Sequence, residues 1–127
     1  MNPVLLCYNL PNMKLSKLRV FCIQNKIRLL EVRREWFSQP IGELLIAPQG
    51  EIAAPKFEEE MIVFAGFPAP LFNMTLNRMR SSALPQVSLK AVLTDTNRLW
   101  SSEELYDELV KEREAFARGT SAHKKEE

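Results

Sequence analysis

Residues able to do acid–base, nucleophilic or metal chemistry are few in this chain, and they are scattered. Its single histidine, His123, stands near the C-terminal end. Without a second histidine no Ser-His-Asp or Cys-His relay can be assembled, and no zinc or iron site can be made of His and Cys in the usual numbers. Cys7 and Cys22 have neither a C-x-x-C nor another metal-ligand spacing. Each lies in an apolar run, so both read as small buried hydrophobes. The glycines, Gly42, Gly50, Gly66 and Gly119, fit neither a P-loop nor a dinucleotide fingerprint. Glu58, Glu59 and Glu60 have the chemistry to hold a hard cation, but a charge run ahead of a strand reads first as a solvated loop. The expectation is a protein with no catalytic residue, no metal and no cofactor, leaning against an enzyme.

What remains is positional. Loops following the strands would carry Asn9, Asn12, Gly66, Thr94, Thr96 and Asn97, whose amides, hydroxyls and backbone suit a phosphate or carboxylate. In a parallel sheet such loops converge on a crevice at the carboxyl ends of the strands. The competing account makes them turn formers and caps. A phospho-receiver is excluded, because the acids it needs at the ends of its first and third strands are replaced by residues near Asn9 and Gly66. Lys90 lies within a strand, where a blunted sheet edge explains it better than a catalytic amine. Trp36, Phe37 and Gln39 form a candidate partner surface, with core packing as the alternative.

The elements that would position these residues follow from periodicity. Val4–Tyr8 and Met61–Phe67 are near-continuous apolar runs, each followed by proline, as strands buried on both faces are. Leu15, Leu18 and Cys22 recur at helical spacing, which predicts a helix over 13–26 begun by an Asn12 cap. Charges interrupt 27–33, and 87–93 alternates, so both read as edge strands. A short helix is expected at 40–47 and a loop over 47–60. Phe72, Leu76 and Met79 mark another helix, which Pro85 is expected to end. Ser101-x-x-Glu104 is a capping box, with Trp100 and Leu105 placed as its hydrophobic staple. Asp107 and Lys111 are spaced for an i, i+4 pair, and Gly119 is expected to end that last helix. The two halves resemble a duplicated strand–helix–strand unit.

Alternating strands and helices favour a parallel sheet covered by helices. With the apolar strands central, the expected fold is α/β: a four-stranded, mostly parallel sheet of order 2-1-3-4 with helices on both faces. A ferredoxin-like α+β fold with a C-terminal helix is the alternative. Residues 1–118 would form one domain and 119–127 a disordered polar tail.

The 127 residues, 46% hydrophobic and 26% charged with a net charge of +1, fit a soluble globular domain with no global pull toward nucleic acid or acidic lipid. Charge is unevenly placed. Lys14, Lys17, Arg19, Lys26, Arg28, Arg33 and Arg34 face only Glu31 and Glu35 in residues 1–42, whereas 43–60 is acidic. Such asymmetry suits solvated faces or complementary patches for self-association. No stretch approaches a membrane span and the N-terminus lacks a signal-peptide pattern, so a cytoplasmic protein is expected. Its partner would be a second copy, joined through 34–60 and an edge strand, or an unidentified protein. Nucleic acid fits poorly, because the basic first helix lacks interleaved aromatics.

At Gln39-Pro40-Ile41-Gly42, at Glu59 through Phe67 and at Lys90-Ala-Val-Leu-Thr-Asp-Thr-Asn97-x-x-Trp100, the chain resembles a bacterial family of small proteins known as domain of unknown function three-seven-eight-three. Asp95 stands where that family usually has Pro, and Pro68-Ala69-Pro70 replaces its Thr- or Ser-led helix start. The resemblance implies bacterial origin and a stand-alone domain, and it implies no activity.

Overall fold

The computed structural model describes residues 2–49 and 57–126, with 119–126 described by backbone alone. In order, the elements are β1 (Val4–Tyr8), α1 (Asn12–Gln24), β2 (Arg28–Glu31), a 3-10 turn (Arg34–Trp36), α2 (Ile41–Leu44), β3 (Met61–Ala65), α3 (Ala69–Arg80), β4 (Leu89–Val92), a second 3-10 turn (Asn97–Leu99) and α4 (Ser102–Glu126). The four strands form one sheet in the order β2-β1-β3-β4. β1 and β3, whose residues are all buried, take the centre, and the charged or alternating strands take the edges. This is the α/β sheet predicted, not the ferredoxin-like one.

Strand direction holds one surprise. β1–β2 and β3–β4 are parallel, but the central pair β1–β3 is antiparallel, with Leu6 opposite Val63. The described parts of the connection after β2 touch both ends of the sheet: Arg28, at the start of β2, donates to the Leu45 carbonyl, and Asn9, beyond the end of β1, donates to the Phe57 carbonyl just ahead of β3. With β3 entered from the end at which β1 finishes, the two central strands run in opposite directions.

Alternation within β1 and β3 feeds two cores. Leu5, Cys7, Ile62 and Phe64 face α1 and α3 together with Leu15, Leu18, Phe21 and Met79. Val4, Leu6, Tyr8, Met61, Val63 and Ala65 face the other way, toward Phe37, Ile41, Leu44, Phe57 and Leu105. Each fully buried Leu or Phe contributes roughly 1.5–3 kcal/mol by leaving water. Helical elements thus cover both faces of the sheet.

The duplication suggested by the sequence is geometrical. α1 and α3 lie on one face and the central strands run oppositely, so a local two-fold normal to the sheet relates β1-α1-β2 to β3-α3-β4. Asn9 and Gly66, at equivalent places after β1 and β3, are both left-handed (φ 59° and 70°). Pro11 and Pro68 then precede their helices in the same extended conformation. Beyond the edge strands each half makes a 3-10 turn and starts a helix, and the two arms meet at a bridge between Pro40 and Ser101.

Local details depart from expectation in four places. Asn12 is the first residue of α1, and Pro11 holds the cap position. The helix after β3 ends at Arg80, where Ser82 turns left-handed (φ 68°), before Pro85 is reached. Lys111 pairs with Glu108 at 3.6 Å rather than with Asp107. The backbone of α4 continues through Gly119 to Glu126; an interior glycine costs only about 1 kcal/mol relative to alanine, too little to stop a helix by itself. The capping box forms as expected: the Ser101 N–H donates to Glu104 Oε1 (2.9 Å) and the Glu104 N–H to Ser101 Oγ (3.2 Å).

Candidate functional site

Because the two parallel pairs point in opposite directions, their carboxyl ends lie at opposite ends of the sheet. Asn9 and Asn12 follow β1, while Gly66, Thr94, Thr96 and Asn97 follow β3 and β4. The single crevice expected from an all-parallel sheet is therefore two crevices.

The first crevice, about 630 Å³, lies beyond β1 and β2 and is lined by Asn9, Glu31, Arg33, Arg34, Glu35, Glu58 and Glu60 among others. Much of its polar chemistry is already committed. Asn9 Nδ2 donates to the carbonyls of Phe57 (3.3 Å) and Glu59 (3.1 Å). Lys14 donates to Glu60 (2.6 Å) and to the Gln86 carbonyl (2.7 Å). Arg34 meets Glu58 at 3.5 Å and Arg33 meets Glu35 at 3.6 Å. Beside it, Arg113 holds Glu59 with two contacts (2.5 and 3.1 Å), and Tyr106 donates to the same carboxylate at 3.3 Å. Those hydrogen bonds, Arg113 first, hold the Glu59 carboxyl below the usual range.

The second crevice, about 520 Å³, lies beyond β3 and β4 and is lined by Gly42, Leu45, Ile46, Ala65, Gly66, Leu93, Thr94, Asp95 and Arg98. Asn97 spends itself on the turn: its Oδ1 accepts from the Thr94 N–H (2.7 Å), its Nδ2 donates to the Val92 carbonyl (3.0 Å), and its own N–H donates to Thr94 Oγ1 (3.1 Å). Of the residues predicted to bind a ligand, Gly66 and Thr94 line this crevice, and exposed Thr96 lies in the turn beside it. Asn9 and Asn97 are turn formers. Asn12 is exposed at the start of α1 and lines neither crevice.

The predicted partner surface does not hold together. Phe37 is a core residue, 1% exposed, stacked 4.7 Å from Phe57 and 5.5 Å from Tyr8. Trp36 is half-buried with the Arg33 guanidinium 6.0 Å over its ring. Gln39 bridges the Ala47 carbonyl and the Gln49 N–H. An aromatic next to a 3-10 turn packs inward here because the turn folds back over the sheet.

An unexpected surface lies on the outer side of α1. Met13, Val20 and Ile23 are 76%, 55% and 73% exposed. Lys17 lies among them, and at their N-terminal end a largely apolar groove of about 550 Å³ runs between Met13, Lys14 and Lys17 on one side and Pro85 on the other. At the equivalent positions of α3 stand Pro70, Asn77 and Arg80. The signal was available in the sequence: α1 carries apolar residues at helical spacing on two faces, and only the inner set was needed for the core.

Neither thiol is activated. Burial pushes Cys22 up to about 11 and Cys7 higher still. Both are free cysteines. Lys90 Nζ donates to the Val87 carbonyl (2.8 Å) in its own strand region. Among the described residues no group of His, Cys, Asp and Glu is gathered as a metal site, and no helix is long and apolar enough to cross a membrane.

Residues 60–116 match the family described as Domain of unknown function (DUF3783). That segment is similar to the family whose motifs the sequence carries. The match spans β3, α3, β4 and the first part of α4, which is the second of the two related units; the first unit lies outside it. No curated protein and no solved structure matches the chain.

Proposed function

We propose that the chain is a non-enzymatic binding module that docks an acidic, amphipathic protein segment on the outer face of α1. The observation that carries this reading is the Met13–Val20–Ile23 stripe, exposed on a helix whose structural counterpart presents Pro70, Asn77 and Arg80 at the same places. These side chains span about 15 Å along the axis at 1.5 Å per residue, a length suited to two or three turns of a partner helix. Among the described residues the Lys17 side chain has no hydrogen bond or ion pair, and Lys26 adds positive charge just beyond the end of the helix. The groove beside Met13 is concave, which suits a partner's side chain better than a flat lipid surface. Buried, unpaired thiols suit a reducing compartment, so the proposed setting is the cytoplasm, and bacterial origin rests on the family resemblance.

Fluorescence anisotropy with a labelled peptide, Glu-rich and carrying Leu at i, i+4, i+7, tests the reading. Binding at roughly tens of micromolar is expected, weakened by salt and abolished by Met13→Asp with Ile23→Asp. Binding that survives this pair of substitutions, or no binding to the peptide while anionic vesicles are bound, would remove it.

A further inference from the structure

The crevice beyond β3 and β4 carries chemistry that the α1 surface does not use. Arg98 and Asp95 line the same cavity, yet neither makes an ion pair or hydrogen bond through its side chain among the described residues. Two opposite charges three positions apart, on a tight turn, are thus held beside one cavity without neutralising each other. Thr94 Oγ1 accepts from the Asn97 N–H, which leaves its own proton free to donate. The inner wall is apolar, with Ala65 fully buried and Leu93 half-buried, and the rim exposes 82% of Ile46.

Gly42 shapes the site. A Cβ there would come within 3.2 Å of both Arg98 Nε and the Arg98 carbonyl. Its absence lets the second 3-10 turn lie directly on α2 and keeps the Arg98 side chain against that helix. The first crevice serves as an internal control: it has more charged residues, but its arginines are met by carboxylates of the chain itself and its Glu60 by Lys14.

We propose that this second crevice binds a small zwitterion, an apolar α-amino acid. Its carboxylate lies against Arg98, whose planar fork fits two carboxylate oxygens. Its ammonium faces Asp95, and its side chain covers Leu45, Ile46 and Leu93. A plain anion would meet Asp95 and a plain cation would meet Arg98; only a ligand with both charges satisfies both. At about 520 Å³ the cavity lies in the range of roughly 300–1,000 Å³ usual for small-molecule sites. This proposal stands apart from the α1 reading and survives its failure.

An amide-detected NMR titration of the full chain tests it, with L-leucine, 4-methylpentanoate (no ammonium) and leucinamide (no carboxylate) as probes. L-leucine is expected to shift the amides of Gly66, Thr94, Asp95 and Arg98. Each truncated probe should bind about tenfold more weakly, the worth of one charge-assisted contact. Arg98→Gln and Asp95→Asn, both in an exposed turn, should each cost L-leucine a similar factor, and Asp95→Asn should leave 4-methylpentanoate binding no weaker. No amide shift with L-leucine at about 10 mM, a concentration reaching even millimolar ligands, would overturn the proposal. So would 4-methylpentanoate binding as tightly as L-leucine.

Discussion

After β1 the chain turns on Asn9, which holds its left-handed conformation and also ties the incoming Phe57–Glu59 segment to the sheet through its side chain. After β3 it turns on Gly66, which makes the same bend with no side chain and leaves the space beside it open. That contrast runs through the two halves. Charges lining the first crevice are met by ion pairs of the chain itself, whereas those at the mouth of the second have no partner among the described residues. On the helices the roles reverse: α1 presents apolar residues to solvent and α3 does not. A duplicated frame thus leaves one opening in each half, at different places. Symmetry at the level of backbone turns does not force symmetry of function, because side chains facing solvent or a crevice are free to change once the turn is satisfied.

The largest test of the shared frame is at its centre. Leu6→Ala, beside the local two-fold axis, should cost about 2–5 kcal/mol in chemical denaturation, as other fully buried leucines do. A loss well below that would mean that the two halves are not joined through this pair.

The next test concerns a polar contact present in one half only. Tyr8 is completely buried, and its hydroxyl accepts from Ser102 Oγ at 2.8 Å; Ala65 stands at the equivalent place in β3. Ser102→Ala should cost about 1–3 kcal/mol by stranding that hydroxyl. Tyr8→Phe combined with Ser102→Ala should be less damaging than the sum of the two singles, a coupling readable in a double-mutant cycle.

The two left-handed turns provide the third. Asn9→Ala loses hydrogen bonds as well as a tolerated left-handed residue, whereas Gly66→Ala adds only conformational strain of roughly 1–2 kcal/mol. Asn9→Ala should therefore be the more destabilising, and equal losses in thermal melts would show that the Asn9 side chain contributes nothing.

The smallest effect expected is at Glu59. Its carboxyl is held below the ordinary range in the folded chain, mainly by its hydrogen bonds to Arg113. A depressed carboxylate contributes stability above its unfolded pKa and loses it as pH falls through the folded value. Arg113→Gln should thus be slightly destabilising at neutral pH, the exposure of the pair keeping the effect small. The difference from the parent should shrink to nothing in acid; a constant gap across pH would assign the loss to packing instead.

Much of this fold is legible in the sequence because its signals are local. The apolar runs at Val4–Tyr8 and Met61–Ala65 mark central strands, Ser101 and Glu104 mark a helix start, and the charges in Arg28–Glu31 mark an edge. Phe37 reads equally as surface or core from the sequence, because hydrophobicity alone does not tell an inward from an outward aromatic after a turn. The α1 stripe went unseen because a helix with apolar residues on two faces gives no clear inside. Arg98 and Asp95 carry no motif at all; what distinguishes them is the lack of a partner among the described residues, which is a property of space.

By itself the sequence determined the strands, their order, the helices between them and the recurrence of one unit, since each follows from which residues must leave water and at what period. Only the tertiary structure decided that β3 opposes β1 and that one crevice became two. Those outcomes depend on contacts between residues far apart in the chain, such as Arg28 with Leu45 and Asn9 with Phe57. No local pattern carries the energy of a contact that exists only after the chain has folded.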